Sequence, residues 1–329
     1  MRVVVIGSGI AGASGAYHLA RRGAEVVVVD DARPGLATAA GAGIVSPWAS
    51  VNEELFVLAG PAAGYYPELV AALGEDTAEP TSYAVVGALV AGRDEAALRE
   101  TQRRVTARAA LHPAAGEASL LDPAQAGALF PPLHAGLAAV HVSGGARVDG
   151  RQVRASLLDA ARRRGAELRT GTAALTVDGV RVDGAPVGAD AVVVAAGAWS
   201  AELVAALGAQ LPVAPQRGQI THLEVAEDTT RWPVVSPMDS GHYLLAFPGG
   251  GWWSGRRGRP GPVSTVASPQ PGSWRCWNRR SRSRRGSARR PCWRPGSASA
   301  PPPRTVSPCS ARSPAIPVWS WPPGSAPPA

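Results

Sequence analysis

Gly7, Gly9 and Gly12 form G-x-G-x-x-G between an apolar run, residues 3–6 (V-V-V-I), and a segment of helical periodicity that starts near residue 13. That spacing is suited to holding phosphate. The first glycine permits a tight turn, the second lets backbone approach a pyrophosphate, and the third lets the helix pack closely on the strand. The pyrophosphate then sits at the positive N-terminal end of the helix. Asp30, 23 residues after Gly7, ends a second apolar run, where a carboxylate can accept hydrogen bonds from an adenosine ribose. A merely structural glycine turn requires neither the flanking strand and helix nor the acid, so these residues point to a dinucleotide site.

Which dinucleotide depends on residues 35–47 (G-L-A-T-A-A-G-A-G-I-V-S-P), a run of small residues just after Asp30. Small side chains let backbone amides reach a phosphate or a flavin ring, and the same composition also suits a flexible loop. An NAD(P)-linked dehydrogenase would share the opening glycines. The six histidines are scattered, and Cys276, Cys292 and Cys309 stand 16 and 17 residues apart, which matches no zinc or CxxC pattern. No catalytic side chain and no metal ligand is assigned.

The elements that position these residues follow from periodicity. Residues 13–22 read as a helix closed by Gly23, with Arg21 and Arg22 placed for its C-terminal dipole. With the runs 3–6 and 26–29 this makes a βαβ unit. From about 50 to 140 the pattern turns to helical pieces such as 95–107, interleaved with short strands at 83–90 and 137–142. Residues 151–165 form an amphipathic helix, 191–195 a third run expected to be buried on both faces, and 211–225 and 242–247 further strands. The expected fold is α/β, a Rossmann-like domain interrupted by a mixed α/β domain.

Charge divides the chain near Gly250. The first 250 residues hold 19 Arg and all 25 acids, whereas the remainder holds 14 Arg and no acid, so the net charge of +8 describes neither part. Seven of the ten tryptophans and all three cysteines lie in the remainder. A thiol-free acidic part suits a cytoplasmic enzyme without disulfides. No secretory leader and no membrane span is expected from the apolar runs. The chain has no Lys but 38 Gly and 31 Pro, a composition that implies GC-rich coding DNA.

Further segments carry a family resemblance. Residues 35–47 resemble the flavin segment of the D-amino-acid oxidase superfamily, in particular glycine oxidase and D-amino-acid dehydrogenase. Residues 165–177 (G-A-E-L-R-T-G-T-A-A-L-T-V) are similar to the segment whose backbone touches adenine, with Ala174 where Val is usual. Residues 189–200 (A-D-A-V-V-V-A-A-G-A-W-S) resemble the second FAD-contacting strand, and 215–219 (P-Q-R-G-Q) the P-x-R-G-Q that follows it. The resemblance spans about residues 1–250 and implies FAD as cofactor. It places Gly7, Gly9, Ile10, Ala11 and Gly12 at the pyrophosphate, Asp30 and Asp31 at the ribose, and Thr38, Ala42, Gly43 and Ile44 toward the isoalloxazine; Ala174 and Gly197 complete the set. Tyr243 aligns with an aromatic of the substrate pocket, although a half-buried strand tyrosine fits it equally. The implied domains are FAD-binding (1–50 and 143–205), substrate-binding (51–142 and 206–250) and a disordered basic tail (251–329). The implied reaction is oxidation of glycine, sarcosine or a D-amino acid by hydride transfer from Cα to flavin, with hydrolysis of the imine to an oxo acid. An inactive FAD-binding fragment and an NAD(P)-dependent dehydrogenase are the alternatives.

The tail admits three readings: a nucleic-acid arm with arginines on phosphates and tryptophans on bases, a disordered native tail, or a shifted reading frame. The genetic code favours the third, and no nucleic-acid partner is expected. Trp252 and Trp253 are both TGG, so the third base of one codon with the first two of the next spells valine, and the junctions from Gly250 to Gly255 permit R-V-V-V-G. At the same offset, residues 299–311 permit R-P-x-x-A-D-G-L-P-V-L-G-P and residues 318–324 permit L-V-V-A-T-G. The first of these resembles the superfamily signature R-P-x-x-x-D-G-x-P-x-[IL]-G, whose arginine clamps the substrate carboxylate. The second resembles the last FAD strand and its glycine turn.

Overall fold

β1 (Arg2–Ile6) and β2 (Glu25–Asp30) run parallel in register, Val3 opposite Val26 and Ile6 opposite Val29. Their β-branched residues are buried on both faces, as suits interior strands of a parallel sheet. In a computed structural model the chain is described at residues 1–33, 37–217, 219–238, 240–249, 251–256, 309–311 and 318–320. One sheet has the order Val318–Ser320, Ala191–Val194, β1, β2, Glu167–Thr170, with Val318–Ser320 antiparallel and the others parallel. Val3 and Val5 pack with Ala13, Ala16 and Tyr17 of α1 (Ile10–Arg21) and with Leu157 of the helix Gly150–Arg163. Val4 and Ile6 face the opposite way, onto Leu175, Val180 and Val182 of a three-stranded antiparallel meander. The strand-helix-strand order and this layering are Rossmann-like.

A second, mixed sheet has the order Gln219–Glu224, Gly251–Arg256, His242–Phe247, Val234–Pro237, Ala88–Gly92, Ala138–Val142, Ala118–Leu121. Ile44–Val45, Ala146–Arg147 and Ala84–Val85 form a small sheet of their own. Among the described residues no helix is long and apolar enough to cross a membrane.

Several boundaries differ from those expected. α1 begins at Ile10 because the third glycine already lies within the helix. The helix Glu53–Asp76 runs 24 residues through Pro61 and Pro67, which break the sequence periodicity, and is opened by the Asn52 side chain accepting from Leu55 N at 2.8 Å. The run 191–195 is buried unevenly: Val192 and Val194 are buried, while Ala191, Val193 and Ala195 are partly exposed though packed against the core, and among the described residues a strand of three residues is all that flanks it on its outer edge. The expected tail 251–329 lies largely outside the described residues. Within it, Gly251–Arg256 is an interior strand paired to both Gln219–Glu224 and His242–Phe247, and Cys309–Ala311 pairs with Pro215–Arg217. Long-range pairing of this kind leaves no periodic signal in a six-residue or three-residue segment.

Candidate cofactor site

The three glycines of the turn serve different ends. Gly7 has φ +101°, and a Cβ there would lie 2.5 Å from the Ala195 carbonyl oxygen, so both its conformation and its neighbour require glycine. A Cβ on Gly12 would run into the Gly7 carbonyl oxygen, which makes Gly12 the close-packing position of helix on turn. Gly9 has φ −58° and ψ 175°, a conformation open to any residue, and a Cβ there would meet Thr38 Oγ1 alone, at 3.4 Å. Nothing among the described residues requires glycine at position 9, whereas a pyrophosphate drawn close to the backbone does.

Gly9 opens onto a cavity of about 270 Å³. Pockets for whole drug-sized ligands are roughly 300–1,000 Å³, so this volume suits one half of a dinucleotide. Gly7, Gly9, Asp30, Asp31 and Thr38 lie on its walls together with Ala174 and Gly197, residues brought together from four separate stretches of chain. Gly197 has φ +57° and opens a short 3₁₀ turn three residues after the end of the strand Ala191–Val194. Asp31 is paired with Arg33, whose guanidinium lies 5.8 Å from the centre of the Trp199 ring, and Arg33 and Trp199 also line the cavity.

The other expected site residues lie off the cavity wall. Ile10 N donates to Thr38 Oγ1 at 2.9 Å, which caps the first turn of α1, and Ala11 is exposed. Gly43 has φ +79° and its carbonyl accepts from Val148 N at 2.8 Å, while a Cβ would strike the Val148 carbonyl oxygen. Its glycine is therefore explained by a close backbone crossing. Ala42 and Ile44 are partly buried, with Ile44 opposite Arg147 in the small sheet. Tyr243 lies in the mixed sheet, in register with Gly255, and does not reach the cavity. Gly218 of the P-Q-R-G-Q segment lies outside the described residues.

Two residues that sequence reasoning missed organise the acid. Ser8 N and Ser8 Oγ both donate to Asp30 Oδ2 at 2.7 Å, and Ala32 N donates to Oδ1 at 2.8 Å. Arg154, from the helix Gly150–Arg163, donates through Nε to the Ser8 carbonyl and through Nη2 to Ser8 Oγ, each at 2.5 Å. Burial alone would push the Asp30 carboxyl up; the Ser8 hydroxyl, the Ser8 and Ala32 amides and the Arg154 charge outweigh it and hold the group below the usual carboxylate range. A carboxyl so depressed contributes stability that is present above its unfolded value, about 3.9, and lost as pH falls through the folded value. Asp30→Asn should therefore lower the melting temperature at neutral pH, and the gap to the parent should close below a pH of about 4. A gap that stays constant through that range would mean that Asp30 is not held ionised.

The sequence profile of the family described as DAO, FAD dependent oxidoreductase, matches residues 2–280. The chain belongs to this family. It is 43% identical over 255 residues to the oxidoreductase YurR of Bacillus subtilis, covering 75% of this chain and 68% of that protein. It is 33% identical to the glycine oxidase of Pseudomonas aeruginosa, covering 74% of this chain and 70% of that one. Its structure resembles that of iminodiacetate oxidase from Chelativorans sp. BNC1, with a TM-score of 0.78 and 40% identity over 84% of this chain and 77% of that one. FAD is thus the cofactor and the NAD(P)-linked alternative falls; the free approach at Gly9 fits it. The chain is an FAD-dependent oxidoreductase of the class that oxidises small amines and amino acids.

Proposed function

We propose that the substrate has the form N–CH₂–COO⁻: glycine, sarcosine or a larger N-substituted glycine such as iminodiacetate, with a small D-amino acid as the branched relative. The observation that carries this reading is the likeness to both an iminodiacetate oxidase and a glycine oxidase, whose substrates share that unit. When bound, FAD supplies the acceptor for the hydride that leaves Cα as the Cα–N bond becomes C=N, and water then releases an oxo acid and the amine. The chain's own part is to bind and orient. In this reading Gly9, Ile10 and Ala11 offer backbone to the pyrophosphate between Gly7 and Gly12. Asp30 and Asp31 take the ribose, Ala174 and Gly197 flank the adenosine, and Thr38, Ala42, Gly43 and Ile44 lie toward the isoalloxazine. Tyr243 faces substrate. Residues 1–50 with 143–205 form the FAD domain, 51–142 with 206–250 the substrate domain, and the setting is cytoplasmic.

The reading includes a shifted frame near residues 249–251 that impairs this chain. The segments R-V-V-V-G, R-P-x-x-A-D-G-L-P-V-L-G-P and L-V-V-A-T-G lie in order at one codon offset. The strands Gly251–Arg256, Cys309–Ala311 and Val318–Ser320 overlap these three stretches and are built from the residues of the chain as written. The decisive test of the frame is the DNA sequence of codons 245–255.

For substrate class, flavin bleaching under anaerobic conditions is to be followed with glycine, sarcosine, iminodiacetate and D-alanine in the frame-corrected protein. Bleaching by at least one N–CH₂–COO⁻ compound, faster than by D-alanine, is expected. Bleaching by D-alanine alone would overturn the glycine-type reading.

A further inference from the structure

We propose that Arg154 is a positioning residue for the adenosine half of FAD, acting through Ser8 on Asp30. This rests on the reading that the cavity beside Gly9 holds adenosine. Ser8 is buried, and its hydroxyl has one proton, which goes to Asp30 Oδ2; the hydroxyl oxygen is thereby left to accept from Arg154 Nη2. Arg154 Nε takes the carbonyl of the same residue. The planar guanidinium thus grips the middle residue of G-S-G at two points, and neither Arg154 nor Ser8 lines the cavity. A lysine, with a single ammonium, lacks this fork.

The consequence is a fixed carboxylate. Asp30 Oδ2 is filled by two Ser8 donors, while Oδ1 accepts one bond, from Ala32 N, and keeps acceptor capacity at the cavity wall that Asp30 lines. Among the described residues Arg154 has no carboxylate in salt-bridge range, so its charge is spent on the Ser8 peptide and hydroxyl rather than on a surface pair. A helix-packing arginine needs neither contact. Release of the grip frees the Ser8 hydroxyl to rotate off Oδ2 and leaves Asp30 held by the Ser8 and Ala32 amides alone, so the alignment of Oδ1 toward the ribose hydroxyls loosens.

The test uses ADP and 2′,3′-dideoxy-ADP, which carry the adenosine half without the flavin and differ only in the ribose hydroxyls. Calorimetry on the chain as it stands should show ADP bound tighter by about 10-fold or more, the scale of one hydrogen bond to a charged group. In Arg154→Met that ratio should fall toward one, with dideoxy-ADP affinity little changed; Arg154→Lys should give an intermediate ratio. Ser8→Ala, which keeps the carbonyl contact but removes the hydroxyl relay, should lower the ratio as well and serves if Arg154→Met does not fold. An unchanged ratio, or equal weakening of both ligands, would reduce Arg154 to a packing role. Failure of ADP to bind both this chain and the frame-restored protein would overturn the adenosine reading of the cavity and this proposal with it.

Discussion

A protein whose frame is restored within residues 249–251 should retain FAD through purification and be reduced anaerobically by a small amine-bearing acid, whereas the chain as written should do neither well. The expectation starts from a strand position. Gly251–Arg256 lies between Gln219–Glu224 and His242–Phe247, and positions 252 and 253 are in register with Ala246 and Leu245, both buried. Ala246 and Leu245 are consecutive strand residues and face opposite sides of the sheet, so on that side positions 252 and 253 adjoin buried neighbours on both faces. A run of valines suits such a place, and the concealed reading of residues 250–255 supplies R-V-V-V-G. The same shift returns an arginine at the junction of Ser299 and Ala300, where the family resemblance puts the carboxylate clamp. Loss of one partner of a desolvated charge pair costs roughly 2–5 kcal/mol, or tens to thousands of fold in affinity. Flavin content by absorbance and anaerobic reduction by stopped flow measure both effects. Equal flavin retention and turnover by the two proteins would sink the shifted-frame reading.

In the frame-restored protein, Gly9→Val should abolish FAD retention and leave the melting temperature of the apo-protein close to that of the parent. Gly12→Ala should do the reverse in kind, with the fold itself weakened. Position 9 has ordinary extended backbone and, among the described residues, its added Cβ meets Thr38 Oγ1 alone, so the larger side chain projects into the space that the proposed reading gives to pyrophosphate. Two or more charge-assisted hydrogen bonds are then forfeited, each worth roughly 1.5–3 kcal/mol, so an affinity loss of at least about 100-fold is expected. At position 12 the added methyl collides with the Gly7 carbonyl oxygen, backbone against backbone, and overpacking of that kind costs about 1–3 kcal/mol. Flavin fluorescence titration beside differential scanning calorimetry separates the two outcomes. Normal FAD affinity in Gly9→Val would remove the pyrophosphate from this turn.

What could be read from sequence was whatever contiguous residues decide. The V-V-V-I run, the spaced glycines and an acid after a second valine run specify strand, turn, helix and strand, because local periodicity and backbone freedom are properties of neighbours in the chain. The family motifs at 35–47, 165–177 and 189–200 were legible for the same reason, and Thr38, Ala174 and Gly197 do meet at one cavity with Gly9 and Asp30. Arg154 and Ser8 stand 146 residues apart, and no periodicity links a helix-surface arginine to the middle of G-S-G; packing of the helix Gly150–Arg163 against α1 creates that contact. The tertiary structure also separates glycines that look alike in sequence. Gly43 is required by the Val148 backbone crossing it, Gly12 by the turn beneath the helix, and Gly9 by no atom of the described residues. A missing side chain can mean a close neighbour or a vacancy kept for a ligand, and only the distance to what lies opposite distinguishes the two.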